Sequence, residues 1–249
     1  MKWKSFVVAW ALALTLLLFA QRHSSTSEHL LYANVVDLSH TVSDSSPQSS
    51  THLGSPASNH YFVFDQRAAT RLEAPSQIVK GMWSVDEIPS ERLVRPMVVI
   101  DVHNKVRGNS DYRLSMQDVA DWESAHGHIP GGAVVMAATG WDDRWTNSDL
   151  YRNVTPDGTA HFPGYTLEAV KFLVEARGIV GLGIDSPSTD GGNSTNFSVH
   201  RYCAEHSVYH LENVANIARV PETGALAVVT PLKLEKGTGA PVRLLALLK

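Results

Sequence analysis

The run Met97-Val-Val-Ile-Asp-Val102 constrains this chain more than any other stretch. Only Asp101 in it is polar. A half-buried strand alternates apolar and polar residues, and this run does not, so it reads as a strand covered on both faces. Ala133-Val-Val-Met-Ala137 repeats the pattern. Such strands need helices as cover, and helical segments lie in the intervals. Ser115-Met-Gln-Asp118 resembles a capping box that opens a helix through Ser124, closed near Gly127. Thr166 caps a second helix, Leu167 to Arg177, whose Leu167, Val170, Leu173 and Val174 follow the helical period before Gly178 ends it. Val35 to His40, Tyr61 to Phe64 and Val180 to Asp185 read as strands, residues 41–59 as a long loop, and Val199 to His210 as helical in part. Ala225 to Thr230 and Val242 to Leu248 read as two strands joined by a Gly/Pro-bearing loop. Strands alternating with helices give an α/β or mixed α+β chain.

The 249 residues, 43% hydrophobic and 18% charged, suit one packed domain. A formal net charge of −4 argues against a nucleic-acid partner, which calls for a basic face. Cys203 is the single cysteine, so no intrachain disulfide is available and the core must carry stability. The N-terminus has another character. Lys2 and Lys4 precede an apolar run from Phe6 to Ala20, the layout of a secretory signal peptide cleaved after Ala20. The run is shorter than the ~20 apolar residues of a membrane-spanning helix. Residues 21–33 form a polar leader, and the folded domain is expected over 34–249. Asn153, Asn193 and Asn196 begin glycosylation sequons, consistent with a secreted glycoprotein.

Residues 67–101 carry the chemistry. Thr70, Pro75 and the stretch Val79-Lys-Gly-Met-Trp-Ser-Val-Asp-Glu-Ile-Pro89 set a register that continues through Arg92-Leu-Val to Val98-Val-Ile-Asp101. Further stretches follow in order: Thr139-Gly-Trp-Asp-Asp-Arg-Trp145, Gly183-Ile-Asp-Ser-Pro-Ser188, Val199-His200 and Leu211-Glu-Asn213, with Val36-Asp-Leu-Ser-His40 ahead of them. Together they resemble the cyclase family, which includes bacterial kynurenine formamidases and isatin hydrolases and carries the motif His-x-Gly-Thr-His-x-Asp-x-Pro-x-His. The resemblance implies the family's α/β fold, a swivelling β/β/α-like domain of mixed β structure packed with helices. It also implies a metal-dependent amide hydrolase that forms homo-oligomers.

The departures fall on the reactive positions. Arg67 and Arg71 stand where the motif has its leading histidines, Ala69 where it has glycine, Glu73 where it has aspartate and Gln77 where it has the acid/base histidine. By the resemblance, His200 and Glu212 supply the downstream part of the site, while Trp141 and Trp145 wall a substrate pocket or pack in the core. A divalent site needs neutral imidazoles or carboxylates aimed at one point. Arginine has donors only and stays protonated. At ~4 Å and an effective dielectric of ~20, each arginine opposes a divalent ion by about 8 kcal/mol, twice the unit-charge figure. Gln77 orients a water but takes no proton, so the general base is missing too.

Three readings follow. The first is a secreted pseudoenzyme that needs no metal and binds a small aromatic or anionic ligand, with ion pairs among Arg67, Arg71, Glu73 and Glu212 in place of the metal. The second is a residual hydrolase of N-formylkynurenine- or isatin-like amides, with zinc or manganese on Glu73, His200 and Glu212. The third is a structural or protein-interaction domain. No membrane association is expected once the signal peptide is removed.

Overall fold

Strand alternation explains why the apolar runs admit no polar face. In β5 (Val94–Asp101), Val99 joins one apolar cluster while Val98 and Ile100 join another. In β7 (Val134–Ala138), Val134 and Met136 join the first, and Val135 and Ala137 the second. The second cluster also holds the helical residues Val119, Trp122, Val170, Leu173 and Cys203, so it is the layer between sheet and helices. The first lies on the opposite face of the same strands, lined by Leu72, Leu211, Ala227 and Leu244.

The computed structural model describes residues 34–43, 52–53, 62–63 and 65–249. The signal-peptide and leader assignments, Tyr61, Phe64 and most of the 41–59 loop lie outside these residues. In chain order the elements begin with β1 (Asn34–Asp37), β2 (His52–Leu53), β3 (Phe62–Val63), β4 (Arg71–Glu73), β5 and α1 (His103–Val106). Then come β6 (Arg113–Leu114), α2 (Met116–His126), β7, α3 (Ser148–Arg152), β8 (Gly164–Tyr165) and α4 (Leu167–Arg177). The chain ends with β9 (Gly181–Ile184), α5 (Ser198–Glu205), β10 (Tyr209–Glu212), β11 (Ala225–Pro231) and β12 (Gly239–Leu248).

The main sheet runs β1-β12-β11-β5-β7-β9-β10-β4, and β4 also pairs with β12. Seven strands therefore close into a barrel, with β1 beside β12. Pairings β5–β7, β7–β9 and β9–β10 are parallel and the others antiparallel. The fold is a mixed α/β single domain, and among the described residues no helix is long and apolar enough to cross a membrane. Two glycines let the parallel strands pack. A Cβ on Gly183 would stand 2.0 Å from Met136 Sδ, and one on Gly181 would stand 2.5 Å from the Tyr209 ring.

Sequence and structure differ most at β10. Of Val199 to His210, expected to be helical in part, the helix takes residues up to Glu205, and Ser207 turns the chain at φ 59°. Residues 209–212 then form a strand parallel to β9. That difference brings a second histidine into the site.

Candidate functional site

In the antiparallel register of β4 and β10, Glu73 lies opposite His210, Leu72 opposite Leu211 and Arg71 opposite Glu212. Successive side chains in a strand point to opposite faces. Leu72 and Leu211 enter the inner core, so Arg71, Glu73, His210 and Glu212 share the other face. His200 on α5 and Thr189 and Asp190 from the loop after β9 meet them there. None of these seven side chains lies in an exposed residue; Glu212 is fully buried and Glu73, the most exposed, reaches only 6%.

The cluster is a network of charges. Arg71 Nε donates to Glu73 Oε1 at 2.9 Å, and Arg71 Nη2 reaches Glu212 Oε2 at 2.5 Å and the Pro187 carbonyl at 2.8 Å. The Thr189 amide donates to Glu212 Oε1 at 2.8 Å. His200 Nδ1 lies 2.7 Å from Asp190 Oδ2, while its Nε2 lies 3.3 Å from Glu73 Oε2 and 3.2 Å from Glu212 Oε1. Asp190 also accepts the Val199 and His200 amides at the start of α5, which orients the imidazole.

The protonation states follow from these contacts. Burial opposes charge on His200, but Glu212, Asp190 and Glu73 outweigh it and hold its pKa well above the usual histidine value. Burial likewise pushes Glu73 up, and Arg71 and His200 hold it well below the carboxylate range. Arg71 and an imidazolium at His200 thus face three carboxylates. His210 is the opposite case. Burial, then the His200 charge, pushes its pKa well down. Its ring stacks on His200 at 4.1 Å, Nδ1 lies 2.8 Å from Thr189 Oγ1, and Nε2 is buried without a partner among the described residues.

His200, His210 and Glu212 form a His-His-Glu group whose candidate ligand atoms lie within 4.8 Å of one another. The unpartnered His210 Nε2 is the one feature that favours a metal. The rest of the donor set does not fit. Both His200 nitrogens face carboxylates as proton donors, both Glu212 oxygens are engaged, and the Arg71 guanidinium lies between the two glutamates. Close packing of donor atoms identifies the group, but the charges already present decide against a divalent ion.

The remaining site candidates are dispersed. Arg67 does not enter the cluster: its side chain is 59% exposed and pairs with Asp65 at 3.2 Å, in a local turn closed by the Arg67 amide on Asp65 Oδ1. Gln77 is half-buried in the 3-10 turn Pro75–Gln77, which packs against α5. Trp141 is a core residue whose Nε1 donates to the Tyr151 carbonyl, with Arg144 over its ring at 3.7 Å. Trp145 stacks on His40, ring centres 3.9 Å apart and 7° from parallel. Ala69, at the glycine position of the motif, is buried with φ 51°, a conformation that costs a residue with a Cβ.

Beyond the charged cluster lies a polar layer. Tyr151 Oη donates within 2.8 Å of Asn213 Oδ1, Asn213 Nδ2 donates to the Ala69 carbonyl, and Thr70 Oγ1 donates to the Asn213 carbonyl. Asp185 accepts from the Thr139, Gly140 and Trp141 amides and so fixes the Thr139–Trp145 loop. His210, Thr189, Asp190 and Tyr151 were missed by sequence reasoning. The alternation His210-Leu211-Glu212 was the available signal for the first, since both polar side chains fall on Arg71's face.

With that geometry in view, the comparisons assign the chain. The Cyclase family model matches residues 36–191, more than half of the sequence, and the chain belongs to that family. Isatin hydrolase of Roseibium aggregatum is 31% identical over 196 residues, covering 76% of this chain and 74% of that protein. Kynurenine formamidase of Salinibacter ruber is 25% identical over 196 residues, covering 79% and 80%. The solved isatin hydrolase A from Labrenzia aggregata superposes with a TM-score of 0.81 at 32% identity, over 92% of this chain and 98% of that one.

His40 supplies a pH signature. Burial lowers its pKa from 6.5 to about 4, so the folded protein resists a proton that the unfolded chain accepts. Stability therefore rises with pH between about 4 and 6.5. Discounted for the ring's partial exposure, the effect is about 1–2 kcal/mol. Urea unfolding of wild type and His40→Phe should show the difference shrinking against wild type as pH falls through that window. A difference that stays constant with pH would contradict this assignment.

Proposed function

We propose that this chain is a secreted cyclase-family pseudoenzyme that has lost metal-dependent amide hydrolysis and retains ligand binding. The observation that carries the reading is the Arg71 guanidinium bonded to both Glu73 and Glu212 inside a sealed cluster. That guanidinium and the His200 imidazolium supply the positive charge a metal would otherwise bring, and among the described residues no neutral base with access to solvent stands beside them. The ligand we favour is small and aromatic. An anion held by Arg67 and Arg71 is not favoured, because Asp65 pairs with the first and two glutamates with the second.

Secretion, a homo-oligomeric state and glycosylation belong to the same proposal, without a nucleic-acid or membrane partner. Asn193 and Asn196 are exposed, whereas Asn153 Nδ2 donates to the His161 carbonyl at 2.6 Å. We therefore favour a glycan on Asn193 or Asn196 over one on Asn153.

The test is metal analysis of the purified mature protein, with isatin and N-formylkynurenine hydrolysis assayed with and without added zinc or manganese. The expected result is less than stoichiometric metal and no turnover above background. A second reading, residual hydrolysis, is favoured by one observation, the unpartnered His210 Nε2 beside His200 and Glu212. Stoichiometric metal with turnover would establish that reading and remove the first. Absence of turnover together with absence of any ligand-induced thermal shift would favour a purely structural role.

A further inference from the structure

Two clefts meet at residues Ser39 to Thr41. One, about 450 Å³, is lined by His40, Asp142, Asp143, Trp145 and Asn216 among others. The other, about 560 Å³, runs past His40 to Thr70, Asp37 and Arg243. His40 lies in the wall of both. Its ring is flat against Trp145, its Nε2 is buried without a partner among the described residues, and its amide is held by Thr70 Oγ1 at 2.8 Å. The Tyr151 ring meets Trp145 edge-on at 5.0 Å and braces the stack from behind.

The charge around this stack is one-sided. Arg243 is the cation in the larger cleft, and Asp37 binds it through both oxygens, at 3.1 and 2.8 Å. In the smaller cleft Asp142 and Asp143 have no salt-bridge partner among the described residues. Asp142 Oδ2 accepts the Asn216 amide at 2.8 Å, and burial together with the neighbouring Asp143 makes its charge costly. A carboxylate in that state is stabilised by a bound cation and opposed by a bound anion. Aromatic faces beside it favour a flat ring, and they also attract positive charge.

We propose that the cleft at His40 binds a flat aromatic ring bearing a protonated amine, the ring against the His40–Trp145 stack and the ammonium on Asp142 and Asp143. This rests on the binding role proposed above and narrows its ligand to a cationic aryl amine.

The experiment is calorimetric titration of the full mature chain with tryptamine, indole and indole-3-acetate, three probes that share a ring and differ in charge. The expected order is tryptamine first, with indole-3-acetate weaker by about tenfold or more, the effect of one partly buried charge contact. Asp142→Asn with Asp143→Asn keeps the oxygen that receives the Asn216 amide and should bring tryptamine and indole within about twofold of each other. Trp145→Ala should weaken all three. Equal or tighter binding of indole-3-acetate overturns the proposal. So does a double variant that keeps the amine preference, or a wild-type protein that binds none of the probes. Isatin turnover measured on the same sample separates the two claims. Turnover with an amine preference removes the pseudoenzyme reading alone, and no turnover with no amine preference removes the ligand assignment alone.

Discussion

Arg71→Met is expected to destabilise the protein by about 3–5 kcal/mol, the cost of leaving one side of a buried ion pair without its partner. Methionine matches the arginine stem in length and apolar character, so the loss isolates the guanidinium. It would leave Glu73, Glu212 and Asp190 around His200 alone. Arg67→Ala is the control. Its side chain is 59% exposed and, among the described residues, bonded only to Asp65, so the change should fall within about 0.5 kcal/mol. Urea unfolding at neutral pH measures both. Similar losses for the two arginines would mean that the cluster is not what stabilises this face of the barrel.

Arg71→His should give this cluster a zinc site. The substitution removes the fixed charge between the glutamates and puts an imidazole opposite Glu212, with Glu73 and His200 alongside. Losing the guanidinium also frees a Glu212 oxygen. Four nitrogen and oxygen donors around one point suit zinc. At a hundredfold excess over the dissociation constant, zinc would stabilise the variant by about 2.7 kcal/mol through binding alone. Thermal unfolding with and without zinc reads this directly, and equilibrium dialysis gives the stoichiometry. A folded variant that takes up no zinc would show that Arg71 does not occupy the place of a metal. The two variants probe one feature in opposite ways, since methionine removes a charge and histidine replaces it with a ligand.

How much of this was legible in the sequence differs by element. The helix Leu167–Arg177 was readable at both ends because its stop and start are local chemistry. Thr166 caps the Ala169 amide, and Gly178 takes the left-handed turn at φ 59°. The Ser115–Asp118 box opens α2 for the same reason. Strand β10 was not readable, because Tyr209-His-Leu-Glu212 has no apolar run and follows a helix directly. Its pairing with β4 and β9 is fixed only by the closed sheet.

The site divides likewise. Register along the chain was enough to nominate Arg71, Glu73, His200 and Glu212, which the fold brings within hydrogen-bonding reach of one another. It could not tell Arg71 from Arg67. That distinction depends on Asp65, two residues upstream, which ties Arg67 into a surface turn. His210 escaped notice because its neighbours in space are 21 residues away in sequence at Thr189 and on a separate helix at His200.

The closure of the barrel has a consequence for how the chain reaches this state. β4 pairs with β10 and β12, whose residues lie more than a hundred positions further on. Arg71 finds Glu212 at a separation of 141 residues. During synthesis from the N-terminus, the guanidinium must wait for nearly the whole polypeptide before its carboxylate arrives, and long loops close slowly. The charged face therefore depends on contacts that are distant in sequence. A chain arrested before β10 leaves the β4 edge open and Arg71 without its Glu212 carboxylate.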